Sequence, residues 1–339
     1  MKKYLLPQYK QYKANLHTHS NLSDGAHSPE ELKQLYMERG YSIVAYTDHE
    51  IIWDQSHLCD ESFVAINGYE YAITSREGEV YNDKATCHLN LWAKDQKNLS
   101  HVCYSPEYRR PKKVSEEEAR ALPHYGEYVI TNYSVESINH VIEEANKHGY
   151  MVCYNHPYWS MEGFNTFSQY KGYQAVEVFN RCSGGSGYYE FTPYIYDELL
   201  RMGKKVLPIA ADDTHRIWKD VKYHKQAFGG FNMMAAKELS YESIIEAMEK
   251  GDMYASTGAT IDEIYVEDNT LTLNFEPCEV AYFRTHNRRG SIVFNEQAEP
   301  ITTASFKLAP EDKYVFAYIK TFDGRWAVTR AYYADELFD

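Results

Sequence analysis

No run of the chain is apolar for long enough to span a bilayer, which takes about 20 residues, and the opening residues 1–7 (MKKYLLP) hold too short an apolar stretch for a signal peptide. A cytoplasmic location with no membrane partner is the expectation. Positive charge is in short supply: 35 Lys and Arg face 49 Asp and Glu, for a formal net charge of -14. With no basic stripe interleaved with aromatics, duplex nucleic acid is excluded as a partner by repulsion. A small phosphorylated molecule feels that field less, above all where divalent cations reverse its sign locally. Cysteine is sparse too. The six residues Cys59, Cys87, Cys103, Cys153, Cys182 and Cys278 show no C-x-x-C spacing, which excludes a zinc ribbon and a disulfide framework and leaves buried, reduced thiols. The G-x-S-x-G, Walker A and G-x-G-x-x-G patterns are missing, so nothing points to a nucleophilic serine, a P-loop or a dinucleotide fold.

What the chain has is histidine and carboxylate in repeated company. His17 and His19 are one residue apart, Asp24 follows, and Thr47, Asp48 and His49 come soon after. On an extended segment alternate side chains share a face, so an H-x-H pair aims both imidazoles at one cation while a nearby carboxylate and a third His can hold another. The same residue types recur after short apolar runs rich in β-branched and aromatic residues. Residues 42–46 lead to His49, 63–66 to Glu70, 85–87 to His88, 150–154 to His156, and 205–211 to Asp212, Asp213 and His215. Each run is read as a buried strand with its polar residue at the C-terminal end, where β/α barrels build active sites.

Helices separate these strands. Ser28, Pro29 and Glu31 spell a capping box with proline at the first helical position, predicting a helix that stops at Gly40. Ser134 opens a second, with Ile138, Val141, Ile142 and Ala145 on one face and Gly149 at its end. Ser240 opens a third, with Ile244, Ile245 and Met248 inward, closed by Gly251. Alternating strand and helix predicts an α/β architecture with a largely parallel sheet. An open sheet would alternate in the same way, but its site forms mainly at one switch point; candidates spread over so many strand ends favour a closed barrel. After residue 258 the pattern turns to two-residue alternation around turn signals at 267–270 and at Asp323 and Gly324. The chain is therefore divided into a hydrolase barrel over 1–258 and a small antiparallel β domain over 259–339. At the edge of the latter, His286, Arg288 and Arg289 either reach a substrate or stay solvated.

Taken together, the H-x-H with Asp24 and Gly25, the Thr-Asp-His at 47–49, the Gly-Tyr-Glu at 68–70, the Asn-His-Pro at 155–157 and the D-x-H at 213–215 resemble the PHP superfamily of metal-dependent phosphoesterases, named for polymerase and histidinol phosphatase. The motifs run in that family's order from residue 15 to about 258. The resemblance implies a distorted (β/α)7 TIM-like barrel and two to three divalent metal ions at the strand ends. Carried over residue by residue, it gives one metal to His17, His19, Glu70 and Asp213. Glu70 bridges to a second, held by His88 and His156, and a third sits on Asp24, His49 and His215. Glu70, Asp213 and His215 are also the expected catalytic residues. Six imidazoles and three carboxylates without a thiolate suit Zn, Mn or Fe better than Mg or Ca. Asp48 and Asp212 adjoin ligands but should point away from the metals.

Such a cluster can activate a metal-bridging hydroxide for attack on a phosphoryl group, with no side-chain nucleophile. The expected activity is hydrolysis of a small phosphorylated metabolite or nucleotide. For substrate binding the candidates are Arg181, Arg216 and Tyr158. Either guanidinium can fork onto a phosphate or pair with an acidic neighbour. Tyr158 and Trp159 form either a wall for a ring or part of the core. The stretch 182–187 closes over a ligand or merely connects, and residues 96–125 read as an insertion, a lid or a disordered excursion. Two other readings stand beside this one: an amidohydrolase-like metal enzyme acting on a non-phosphate bond, and a non-catalytic metal-binding scaffold. No lysine stands where the amidohydrolase barrels place theirs, and none of the nine ligand positions is substituted, as an idle site would allow.

Overall fold

A computed structural model describes residues 1–75, 84–107, 111, 113–218 and 226–338. The helices are α1 (Pro29–Met37), α2 (Glu116–Arg120), α3 (Val135–Lys147), α4 (Phe164–Phe167), α5 (Arg181–Gly185), α6 (Pro193–Arg201), α7 (Tyr241–Lys250) and α8 (Ala334–Leu337). Those expected from the sequence form for the expected reasons. The backbone N–H of Glu31 donates to Ser28 Oγ at 3.2 Å and that of Ser28 to Glu31 Oε2 at 3.0 Å, which satisfies two donors that a helix start leaves open. Helix α3 buries Ile138, Val141, Ile142 and Ala145, and α7 ends on Gly251 at φ +69°, a conformation that costs glycine nothing. No helix among the described residues is long and apolar enough to cross a membrane.

The strands fall into two groups. Before residue 258 lie β1 (Lys3–Tyr4), β2 (Lys10–Asn15), β3 (Ile43–Tyr46), β4 (Val64–Thr74), β5 (Thr86–Ala93), β6 (Tyr150–Tyr154), β7 (Ala175–Asn180), β8 (Leu207–Ala211), β9 (Phe231–Ala236) and β10 (Met253–Ser256). After it lie β11 (Ile261–Glu267), β12 (Thr270–Cys278), β13 (Val280–Thr285), β14 (Gly290–Phe294), β15 (Ile301–Lys307), β16 (Tyr314–Lys320), β17 (Trp326–Thr329) and β18 (Tyr332–Tyr333).

The α/β class stands, but the sheet is mixed rather than largely parallel. Strands β2, β3 and β4 pair in parallel, as do β6, β7 and β8, whereas β5 runs antiparallel to both β4 and β6, and β9 antiparallel to β2 and β10. Parallel neighbours need a crossover of a dozen or more residues, and the link from Thr74 to Thr86 is too short to supply one. This also corrects the rule of one polar residue per strand end. Glu70 and His88 stand inside their strands, Glu70 opposite Asn90 and His88 opposite Ala72, so the end of β4 and the start of β5 share one rim.

A closed barrel is not what the ladders describe: among the described residues no strand ladder joins β8 to β9 or to β2. Side-chain and end contacts span that seam instead. Asn232 Nδ2 donates to Ala210 O at 2.9 Å while its Oδ1 accepts from Ala210 N at 3.1 Å, replacing the backbone partners. Just past the strand ends, Asp213 N donates to His17 O at 3.0 Å and His19 N to Thr214 O at 2.9 Å. The two stretches richest in candidate ligands are thereby stitched together.

The strands after residue 258 are antiparallel, and their turns use the signalled residues, with Asp268 and Asn269 at φ +49° and +54° and Gly324 at +84°. They are divided between two sheets. Strands β13, β16 and β17 continue the large sheet through β10, while β11, β12 and β15 form a second sheet whose edge is β1 from the N-terminus. Ile264, Leu271, Leu273 and Phe306 from the small sheet pack on Phe283, Val315, Ala317 and Ile319 from the large one. On the opposite face Phe316 meets Tyr196 of α6 at 5.3 Å. Arg289 pairs with buried Asp312, Nη2 to Oδ2 at 2.6 Å, so the C-terminal layer uses it internally.

Candidate metal centre

All nine expected ligands converge. His19, Asp24, His49 and His215 form one group of mutually close donor atoms, His17, His19 and Glu70 a second, and Glu70, His88 and His156 a third. Asp213 joins through Oδ1, 3.1 Å from His19 Nε2 and 3.3 Å from His17 Nε2. The division differs in detail from the expected one: His19 also belongs with Asp24, His49 and His215, and Glu70 spans two groups. Depth separates them further. The side chains of His17, His19 and Glu70 are 0% exposed, whereas His49 and His215 are each 26% and Asp24 53% exposed at the rim.

Local structure explains why the side chains point inward. The alternation of an extended segment sends His17 and His19 to one side, with their Nε2 atoms 3.1 Å apart, and Thr18 to the other, where its N–H donates to Thr47 Oγ1 at 3.0 Å. His156 and Asp213 sit at φ +25° and +54°, strained values for residues other than glycine, of the kind that cluster at functional sites. Behind the donors stand carboxylates that touch no part of the cluster's interior. Asp48 accepts from Ser20 N and Oγ and from Ser23 N and Oγ, and Asp212 accepts from Tyr36 Oη and the N–H groups of Phe228, Gly229 and Gly230. Each anchors the turn facing it and fixes the ligand next in sequence.

Glu177 is the residue that sequence reasoning passed over. Its Oε1 is 2.7 Å from His17 Nδ1, and its Oε2 accepts from His156 N and Asn180 Nδ2, both at 2.8 Å. A carboxylate only accepts, so His17 Nδ1 carries a proton toward Glu177, which makes Nε2 the nitrogen that would face a bound cation, the arrangement found behind metal-bound imidazoles. The signal was a lone acid inside the buried run of β7, where an unpartnered charge would be costly. Asn155, of the Asn-His-Pro motif, has a part of its own: its Nδ2 donates to Glu70 Oε1 at 2.8 Å.

Among the described residues, four buried atoms of the cluster, His19 Nδ1, Glu70 Oε2, His88 Nδ1 and Asp213 Oδ1, have no hydrogen-bond partner. His88 Nδ1 lies only 3.0 Å from Glu70 Oε1, so proximity without hydrogen-bond alignment is the rule here. Ligands about 2.0–2.1 Å from one ion lie about 2.9–3.4 Å from each other, and the close donor pairs at His17, His19, Glu70 and Asp213 fall at 3.1–3.5 Å, in or next to that range. The residues therefore fit divalent cations, and a nitrogen and oxygen donor set suits Zn, Mn or Fe.

Without a cation the groups hold one another in alternating charge. Burial disfavours a charge on Glu70, but His88, His17 and His156 outweigh it and hold the carboxyl well below its usual range. Burial likewise opposes protonation of His49, yet Asp24 and Glu70 push it up to about 10, and Asp24 and Asp213 raise His215 well above an ordinary imidazole. His19, buried and facing His215 and His49, is pushed down to about 3.

A cleft of about 320 Å³ opens over the cluster, walled beyond the candidate ligands by Trp159, Cys182, Ser183, Ser186 and Gln226. Residues 182–185 are part of α5, capped by Asn180 Oδ1 accepting from Ser183 N, rather than an open connector. The three substrate candidates are not among the lining residues. Arg181 Nη1 is 2.6 Å from Glu190 Oε1 and its side chain lies over Gly229, Arg216 is exposed beside His215, and Tyr158 is 47% exposed beside Trp159. Of the stretch 96–125, residues 108–110 and 112 lie outside the described residues; the rest includes α2 and the buried residues Val102, Cys103 and Tyr104.

No family model and no curated protein matches the chain. Among solved structures it is similar to a two-domain protein of Bacteroides vulgatus described as containing a predicted PHP-like metal-dependent phosphoesterase. That likeness has 17% identity, covers 98% of this chain and 97% of that one, and has a TM-score of 0.47. An amidohydrolase of Chromobacterium violaceum, with bound sulfate and no metal, is similar at 15% identity over 62% of this chain and 90% of that one, with a TM-score of 0.37. The first carries the same superfamily label as the motif resemblance. At these scores neither decides the fold or the activity, and the functional reading rests on the cluster itself.

Proposed function

We propose that the protein is a metal-dependent phosphoesterase that hydrolyses a small phosphorylated metabolite or nucleotide. The observation that carries this reading is a buried floor of converging imidazoles and carboxylates, four of whose atoms have no hydrogen-bond partner among the described residues, beneath an open cleft. His17, His19, Glu70 and Asp213 would hold one cation, Glu70, His88 and His156 a second, and Asp24, His49 and His215 a third. Divalent cations held there supply Lewis acidity, acidifying water and drawing charge from a phosphoryl oxygen. The protein's own part is to orient and to exclude water. Glu177 fixes the tautomer of His17, and Asp48 and Asp212 lock the turns beside His49 and Asp213. With Asp24, His49 and His215 holding a third cation, positive charge would lie at the rim, where a leaving alkoxide becomes negative. Tyr158 and Arg216 are the proposed substrate contacts, while Arg181 reaches a phosphate only by opening its pair with Glu190. Residues 1–258 then carry the chemistry, with 259–339 as their β-rich companion.

The test is metal analysis of the purified protein with turnover of a panel of phosphomonoesters and dinucleotides under zinc, manganese and iron. Turnover that depends on added metal and disappears in His156→Ala and Asp213→Ala is expected. Undiminished turnover in those variants would sink the assignment, and cleavage of amides in place of phosphate esters would move it to a carbonyl hydrolase.

A further inference from the structure

Beside the cleft the surface turns aromatic. Trp159 lines it, with its ring 4.9 Å from His156 and 5.4 Å from His88, and the next residue back, Tyr158, lies 5.9 Å from Tyr188 and 5.4 Å from Tyr189. Tyr158 is 47% and Tyr189 73% exposed, so two large rings stand in water next to the site. The segment presenting Tyr158 and Trp159 is held at both ends. It starts on strained His156, Ser160 N donates to His156 O at 3.1 Å, and Ser160 O accepts from Thr86 N at 3.1 Å. Just beyond, Glu162 accepts from the phenols of Tyr133, Tyr154 and Tyr170. On the other side Tyr188 N donates to Ser183 O at 3.0 Å, tying the partner rings to α5, whose Ser183 lines the cleft. Rings on a braced backbone lose little freedom when a ligand stacks on them, and exposed aromatic surface beside a polar cleft marks ligand contact. The cleft lining contains no lysine or arginine among the described residues; beside the metal cluster it offers the hydroxyls of Ser183 and Ser186, the thiol of Cys182, the amide of Gln226 and the Trp159 ring.

We infer that the organic part of the substrate carries a planar aromatic ring, which stacks on the Tyr158–Tyr188–Tyr189 group with Trp159 as the inner wall. This rests on the phosphoesterase reading and narrows its substrate class. The test compares phenylphosphonate with methylphosphonate, neither of them hydrolysable, by calorimetry on the zinc-loaded protein. It also compares adenosine with ribose, by saturation-transfer resonance, on the metal-free protein. Stacking of one ring should favour the ring-bearing member of each pair by about tenfold or more, and Tyr158→Ser with Tyr189→Ser should cut that preference below about threefold. Equal binding of the two members by the unmodified protein, or a preference that survives in the double variant, overturns the inference. Should the double variant melt early, Tyr189→Ser alone, at the most exposed ring, must still lower the preference. Because the adenosine pair contains no phosphorus and needs no metal, a ring preference there without phosphatase turnover would fault the phosphoesterase reading and leave the ring site standing.

Discussion

Glu70 and Glu162 are both buried glutamates, 0% and 8% exposed, and their surroundings could hardly differ more. Glu162 is met by three neutral phenols, and burial outweighs their hydrogen bonds to push its carboxyl above the usual range. It is a satisfied structural knot. Glu70 is met by imidazole nitrogens at 3.0–3.5 Å, and its Oε2, though 3.1 Å from His49 Nδ1, has no aligned hydrogen bond among the described residues. Histidines divide in the same way. His101 accepts from Ile52 N at 3.1 Å on Nε2 and donates from Nδ1 to Pro123 O at 2.8 Å, whereas His88 keeps an orphaned Nδ1. Burial does not by itself mark a site; converging ligand atoms left without an aligned hydrogen bond do, because a bound cation would relieve them.

The comparison can be broken at four points. Glu70→Ala should strip at least one ion per chain and lower turnover on the order of a thousandfold, several kcal/mol of transition-state stabilisation; elemental analysis alongside steady-state kinetics reads both. His101 comes next. Burial pushes it down to about 4, so the unfolded chain takes up a proton near pH 6.5 that the folded one refuses. Stability from this group is present above pH 6.5 and is lost as pH falls toward 4. Relative to His101→Gln, the metal-free protein should lose about 3 kcal/mol between pH 7 and pH 4 in urea titrations. A flat difference between the two proteins would show that His101 is not the neutral, satisfied residue described.

Glu162→Ala should cost about 2–3 kcal/mol by leaving buried phenols without an acceptor. Its loss should appear in the melting temperature with the ion count per chain retained; a lost ion would erase the contrast with Glu70. Smallest is Glu177→Gln. Releasing the tautomer of His17 should weaken metal affinity about 10- to 100-fold with the fold intact, seen in competition with a chromogenic chelator.

Much of this contrast was legible in the sequence. Proximity along the chain and strand alternation placed His17 and His19 on one face, and short polar signals after apolar runs flagged His49, His156, Asp213 and His215. The helix caps at Ser28, Ser134 and Ser240 read directly, since capping is settled within four residues. The support from Glu177 was not legible, because an acid in an apolar strand gains meaning only from a histidine on another strand. The antiparallel course of β5 was not legible either, because direction depends on which neighbours a strand finds. The same holds for β1, which leaves the N-terminus to edge the C-terminal sheet, and for the seam that Asn232 bridges.

Residue types and their spacing by themselves determined which side chains can bind cations and where helices begin, since both follow from local covalent geometry and periodicity. Only the tertiary structure decided which buried groups are satisfied and which are left facing one another. Hydrogen-bond partnership among Glu70, His88, His101 and Glu162 is settled by contacts between segments tens of residues apart, and no local pattern encodes it.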